Sequence, residues 1–180
     1  MSKTPDPSND ILVPSGGLKV SWALGCVGLG AALLCITAAI IIPIYSSAGA
    51  SFETTQCLSH LRRLARASFL YADDNNGVLP GEHWDESLVK YEPDEVSYAC
   101  PHQRRIDPRS SGFALAKGLA GKTLKDIPDQ PITTLFFDSR TTVPGAIADP
   151  TDIPRPGRHK NGRANNVVYA DGRSASVEVR

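Results

Sequence analysis

The sequence predicts an α+β protein in which one long N-terminal helix packs on a small antiparallel β-sheet. Three observations predict it. No Asp, Glu, Lys, Arg or His occurs between Lys19 and Glu53. An amphipathic helical pattern follows that uncharged run. The rest of the chain consists of short apolar segments divided by turn dipeptides, among them Pro80-Gly81, Pro144-Gly145, Pro156-Gly157 and Asp171-Gly172. The 180 residues carry 19 basic and 19 acidic side chains. Such a balance creates no whole-chain field to gather nucleic acid. An apolar fraction of 41% excludes a wholly disordered chain.

Residues 1–19 are rich in Pro, Ser, Gly and Asp and predict a flexible tail. Residues 20–45 are apolar and predict a transmembrane helix, because about 20 helical residues rising about 1.5 Å each cross a hydrocarbon core of about 30 Å. A secretory signal peptide is disfavoured: the run is too long and begins too far from Met1. Gly25, Gly28 and Ala32 are small enough to let neighbouring helices approach, which makes them candidates for helix assembly.

An extracytoplasmic domain is expected over 46–180. Its first part continues the helix, since 46–51 contains no Pro. Leu58, Leu61, Ala65, Ser68 and Ala72 recur at helical spacing, with Leu64 and Tyr71 beside them and Arg62, Arg63 and Arg66 on the other side. The run Asp73-Asp74-Asn75-Asn76-Gly77 ends the helix at about residue 74, because Asn and Gly tolerate a left-handed cap. A short helix is expected over 84–91, and strands over 112–116, 133–138, 166–170 and 174–179. The last two strands flank Asp171-Gly172, whose positive-φ tolerance predicts a tight hairpin.

Candidate chemistry is sparse. Cys57 and Cys100 are the two cysteines beyond the apolar run. In a small exported domain such a pair usually forms a disulfide, the alternative being two reduced buried thiols. The disulfide reading favours a cytoplasmic N-terminus; the positive charges flanking the span do not decide its direction. His83, His102 and His159 have no close ligand spacing to each other or to the cysteines, so no metal site and no cofactor is expected. Read as a calcium loop with Gly77 at its sixth position, the acidic turn would begin at Ala72 and end at His83, neither a carboxylate. Ser110, Ser111, His159 and Asp171 supply the atom types of a hydrolase without a nucleophile elbow around either serine, so no enzyme and no small-molecule substrate is expected. Arg155, Arg158, Lys160 and Arg163 share one Pro/Gly loop and could face an anionic surface. No aromatics interleave them, which disfavours nucleic acid.

The segment 31–80 resembles the start of the bacterial type II secretion pseudopilin-like proteins of the planctomycete type, with Pro43, Cys57, Leu58, Leu61, Tyr71, Asp73 to Gly77 and Leu79-Pro80 carrying the resemblance. Cys100-Pro101 and Thr134 to Asp138 are similar to later blocks of that group. Arg158-His159, Asn161-Gly162 and Val167 to Gly172 resemble its terminal His…Asp-Gly motif, of which His159, Asp171 and Gly172 are the marked positions. The resemblance implies a pilin-like fold, an inner-membrane anchor and a structural role alongside other pseudopilin-like or secretion-apparatus subunits. The sequence departs from the pattern twice. Eleven residues separate His159 from Asp171, where the motif has nine, and the apolar run lacks the Glu of peptidase-processed pilins. The missing Glu favours the alternative of a membrane-tethered binding module that does not polymerise.

Overall fold

Helix α1 (Gly17–Asp74) dominates the first part of a computed structural model that describes residues 17–179, with side chains over 27–42, at 49 and over 51–179. The expected tail lies almost wholly outside the described residues, and the expected span at 20–45 lies partly outside the described side chains. Among the described residues no helix is long and apolar enough to cross a membrane. Within that run, the side chains of 27–42 are all exposed, including Leu33, Leu34, Ile36, Ile40 and Ile42. The chain divides between Ser46 and Ser47, and the rest of this fold belongs to the C-terminal unit.

In that unit the helical periodicity of the sequence becomes a buried face. Cys57, Leu61, Leu64, Ala65, Ser68 and Ala72 are buried, while Arg62, Arg63 and Arg66 are exposed. Of the expected face only Leu58 is partly buried; its neighbour Cys57 takes the fully buried position there. The helix stops where the Asn-rich turn enters the left-handed region: Asn76 has φ 57°, and the Gly77 amide donates back to the Ala72 carbonyl at 2.7 Å.

Helix α2 (Trp84–Leu88) is shorter than expected, and helix α3 (Pro101–Ile106) was not anticipated. The latter begins on Pro101, whose fixed φ suits a first helical turn and whose missing N–H costs nothing there. Trp84 anchors α2 in the core. Its indole N–H donates to the Ala146 carbonyl at 2.9 Å, and its ring meets Phe136 edge-on at 5.0 Å.

The sheet has five strands: β1 (Phe113–Ala116), β2 (Thr134–Asp138), β3 (Ile147–Ala148), β4 (Ala164–Tyr169) and β5 (Ser174–Glu178), in the spatial order β3-β1-β2-β4-β5. The four expected strands correspond to β1, β2, β4 and β5, and these pair antiparallel. The expectation of a purely antiparallel sheet is corrected by β3, which pairs parallel to β1. Its two residues are too few to show a period of two. All four residues of β1, and Leu135 to Asp138 of β2, are buried. Such strands read as continuous apolar runs rather than as alternations.

Two glycines fix the end of the chain. Gly172 sits at φ 85° in the β4–β5 hairpin, beside Phe69 of α1. Asp171 accepts from the Arg173 amide through one oxygen and from its guanidinium through the other. Gly157 lies against β4 so closely that a Cβ there would fall 2.6 Å from the Ala164 carbonyl oxygen. That approach lets the Gly157 amide reach Gly162 and the His159 amide reach Ala164, which pins the loop carrying His159 to the sheet.

Candidate functional site

The most concentrated chemistry lies inside the domain. Sγ of Cys57, Sγ of Cys100, a carboxylate oxygen of Asp138 and a ring nitrogen of His159 all lie within 4.8 Å of one another. Each comes from a different segment. Cys57 projects from the buried face of α1. Cys100 caps the start of α3, placed by its amide donating to the Ser111 carbonyl at 2.8 Å. Asp138 ends β2 on the same face as Phe136, two residues earlier. His159 sits in the loop that Gly157 holds against β4.

Cys57, Cys100 and Asp138 are 0% exposed and His159 3%. A buried carboxylate is costly unless charged and polar partners surround it. Asp138 has them. Its Oδ1 accepts from Arg158 Nη1 at 3.2 Å and lies 3.5 Å from the Cys57 sulfur. Its Oδ2 accepts from the backbone N–H of Asn166 at 2.6 Å and lies 3.1 Å from His159 Nε2. Arg158 in turn donates to the carbonyls of Gly112 and Ser139, each at 2.7 Å. Burial pushes the Asp138 carboxyl upward, but His159 and Arg158 outweigh it and hold the group below the usual carboxylate range. Burial opposes the His159 imidazolium, yet the Asp138 and Cys100 partners prevail and raise it to about 9. Burial raises the Cys57 thiol, with the Cys100 hydrogen bond adding to it. Burial likewise opposes ionisation of Cys100, but the Cys57 and His159 hydrogen bonds bring that thiol down to about 5.

Several sequence expectations change here. Cys57 and Cys100 are brought together as expected, but as free thiols rather than the expected disulfide. The disulfide argument for the side of the membrane falls with it. The expectation of no metal-binding group rested on sequence spacing, which missed four donors supplied by four distant segments. His159 belongs to this cluster; His83 does not, and its backbone instead sits at φ 57° ahead of α2. His102 stays outside the four donors with its ring 6.3 Å from that of His159, and its buried Nδ1 has no hydrogen-bond partner among the described residues. The carboxylate facing His159 is Asp138, not Asp171, which the hairpin and Arg173 occupy. Ser110 and Ser111 are buried and donate to the backbone carbonyls of Asp107 and Tyr98.

Arg158 leaves the expected anionic-contact patch, its side chain only 5% exposed because it serves Asp138. Arg155, Lys160 and Arg163 remain exposed. Of the helix-assembly candidates, Gly25 lies outside the described side chains. Ala32 is exposed, and a Cβ on Gly28 would meet nothing within 4 Å. Composition and spacing give no reason to single out Asp138, since an acid closing an apolar strand resembles any strand-to-turn boundary; it enters the sequence reading only as the last residue of the block Thr134 to Asp138.

A separate surface cleft of 380 Å³, lined by Glu92, Glu95, Tyr98, Arg104 and Ser111 among others, contains none of the four donors. Comparison with family models, curated proteins and solved structures finds no match to this chain.

Proposed function

We propose that this protein is a membrane-anchored, pilin-like structural component of a type II secretion or related envelope assembly. Its N-terminus lies in the cytoplasm and its C-terminal domain outside the inner membrane. The observation that carries the reading is the make-up of α1. One continuous helix, Gly17–Asp74, contains the uncharged run at 20–45 and then the buried face from Cys57 to Ala72. A helix that is apolar all round in one half needs lipid or other helices around it, and one with an apolar stripe in the other half needs a domain. The resemblance of 31–80 and of the terminal motif to pseudopilin-like proteins supports the same arrangement and supplies the direction of insertion.

A structural rather than catalytic role fits the reactive groups present. The two thiols and the imidazole are buried, and a nucleophile sealed in a core cannot meet a substrate. A second reading, a tethered module that does not polymerise, is favoured by the absence of any acid in the apolar run. In processed pilins that acid neutralises a neighbouring subunit's terminal amine within lipid, where an unpaired charge is expensive.

The test is membrane fractionation of the full chain with impermeant labelling of intact cells and spheroplasts. The protein should resist high-salt and alkaline washing, and Lys117 and Lys125 should react only once the outer barrier is opened. Release by salt alone, or labelling only after cell lysis, would remove the anchored, exported reading. Sedimentation of gently solubilised membranes separates the two roles: oligomers support the structural component, a monomer the tethered module.

A further inference from the structure

We propose that Cys57, Cys100, Asp138 and His159 form a structural zinc site that ties α1, the start of α3, the end of β2 and the loop before β4 together. The inference goes beyond the envelope role and does not depend on it.

The first argument is distance. Zinc bonds sulfur at about 2.3 Å and imidazole nitrogen at about 2.0 Å, so in a tetrahedral site the sulfur and nitrogen ligands stand about 3.6 Å apart. Cys100 Sγ and His159 Nε2 are 3.6 Å apart. The same geometry places a nitrogen and an oxygen ligand about 3.3 Å apart; His159 Nε2 and Asp138 Oδ2 are separated by 3.1 Å.

The second argument is direction. In a Cys-His-Asp relay the imidazole faces the thiol with one nitrogen and the carboxylate with the other. Here one nitrogen, Nε2, faces both Cys100 and Asp138. The donors converge on a point instead of forming a line. Convergence of two thiolates, an imidazole and a carboxylate is the donor set that a borderline-soft dication such as zinc takes.

Charge gives the third argument. Two thiolates and the Asp138 carboxylate carry three negative charges; zinc and Arg158 supply three positive ones. The buried assembly is then neutral with His159 uncharged. The surroundings are also those of a metal site, because the carboxylate is oriented from behind by the backbone N–H of Asn166 and by Arg158, itself held by two carbonyls. With four protein donors, all buried, no coordination position is left for substrate, as in structural zinc sites.

The test uses the full-length protein, purified in detergent under reducing conditions without chelator and probed with Zn²⁺ and Co²⁺. One zinc per chain should survive dialysis. The cobalt form should show thiolate charge-transfer absorption and the intense visible bands of a tetrahedral centre. Cys57→Ser should lose the charge-transfer intensity contributed by that sulfur. Should that variant fold poorly, the wild type still decides. In urea just below the unfolding midpoint, where the buried thiols are transiently opened, zinc should block modification of Cys57 and Cys100 by an alkylating reagent, and a chelator should restore it. Sub-stoichiometric zinc with an octahedral cobalt spectrum would overturn the site, as would equal alkylation with and without zinc. So would the mass of a Cys57–Cys100 disulfide in folded, metal-free protein.

Discussion

At the scale of single residues, the decisive fact is where Arg158 goes. In the sequence it stands in a basic loop with Arg155, Lys160 and Arg163, and nothing local distinguishes it from them. In the fold its guanidinium is buried and is the permanent positive charge beside Asp138. Removing one member of a buried ion pair strands the other, at a cost of about 3–5 kcal/mol. Arg158→Met should therefore lower the urea midpoint of the metal-free protein substantially. Arg155→Met, at an exposed neighbour, should leave the unfolding free energy within about 0.5 kcal/mol of the wild type. Equal midpoints for the two variants would show that Arg158 does not support the buried carboxylate.

The relevant elements are α1 and the strands it covers. The buried face of the C-terminal part of α1 is mainly apolar, with Leu61 and Leu64 each 0% exposed, and its buried polar members are Thr54, His60 and Ser68. The helix holds its place through that face and through a few polar ties, such as Asn166 Nδ2 donating to the Thr54 carbonyl at 3.0 Å. Truncating a fully buried leucine removes its transfer energy and leaves a cavity, at a cost of about 2–5 kcal/mol. Leu61→Ala should show a loss of that size in chemical unfolding, while Leu70→Ala, on the exposed side, should show much less. Similar losses at the two positions would mean that the helix face is assigned wrongly.

For the whole molecule, the question is what surrounds the apolar half of α1. The exposed leucines and isoleucines between 27 and 42 need an apolar environment, and the proposed one is lipid together with other helices. Gly28 offers a clean probe because a Cβ placed there meets nothing within 4 Å among the described residues. Gly28→Leu should leave folding of the C-terminal domain unchanged and reduce self-crosslinking in membranes. If crosslinking persists at wild-type levels, association does not run through that part of the helix.

Local pattern was enough to read the helix, its buried stripe, its Asn-Gly stop, four of the five strands and the Asp171-Gly172 hairpin. Each is written in periodicity or in the φ tolerance of a few turn residues. The two-residue β3 carries no period, and α3 begins within a Cys-Pro pair that reads equally well as a turn. The donor cluster lay beyond reach for a different reason. Its members are separated by as many as 102 positions, counted from Cys57 to His159, and no rule of spacing relates them. Only folding, by laying α1 across the sheet and pinning the His159 loop to β4, makes neighbours of residues that the chain keeps apart. The amino-acid order thus determined which segments are helix, strand and turn, through short-range sterics and hydrophobic period. The tertiary structure alone decided that two thiols, a carboxylate and an imidazole meet in one buried cluster, because desolvation and electrostatics act through space and not along the chain.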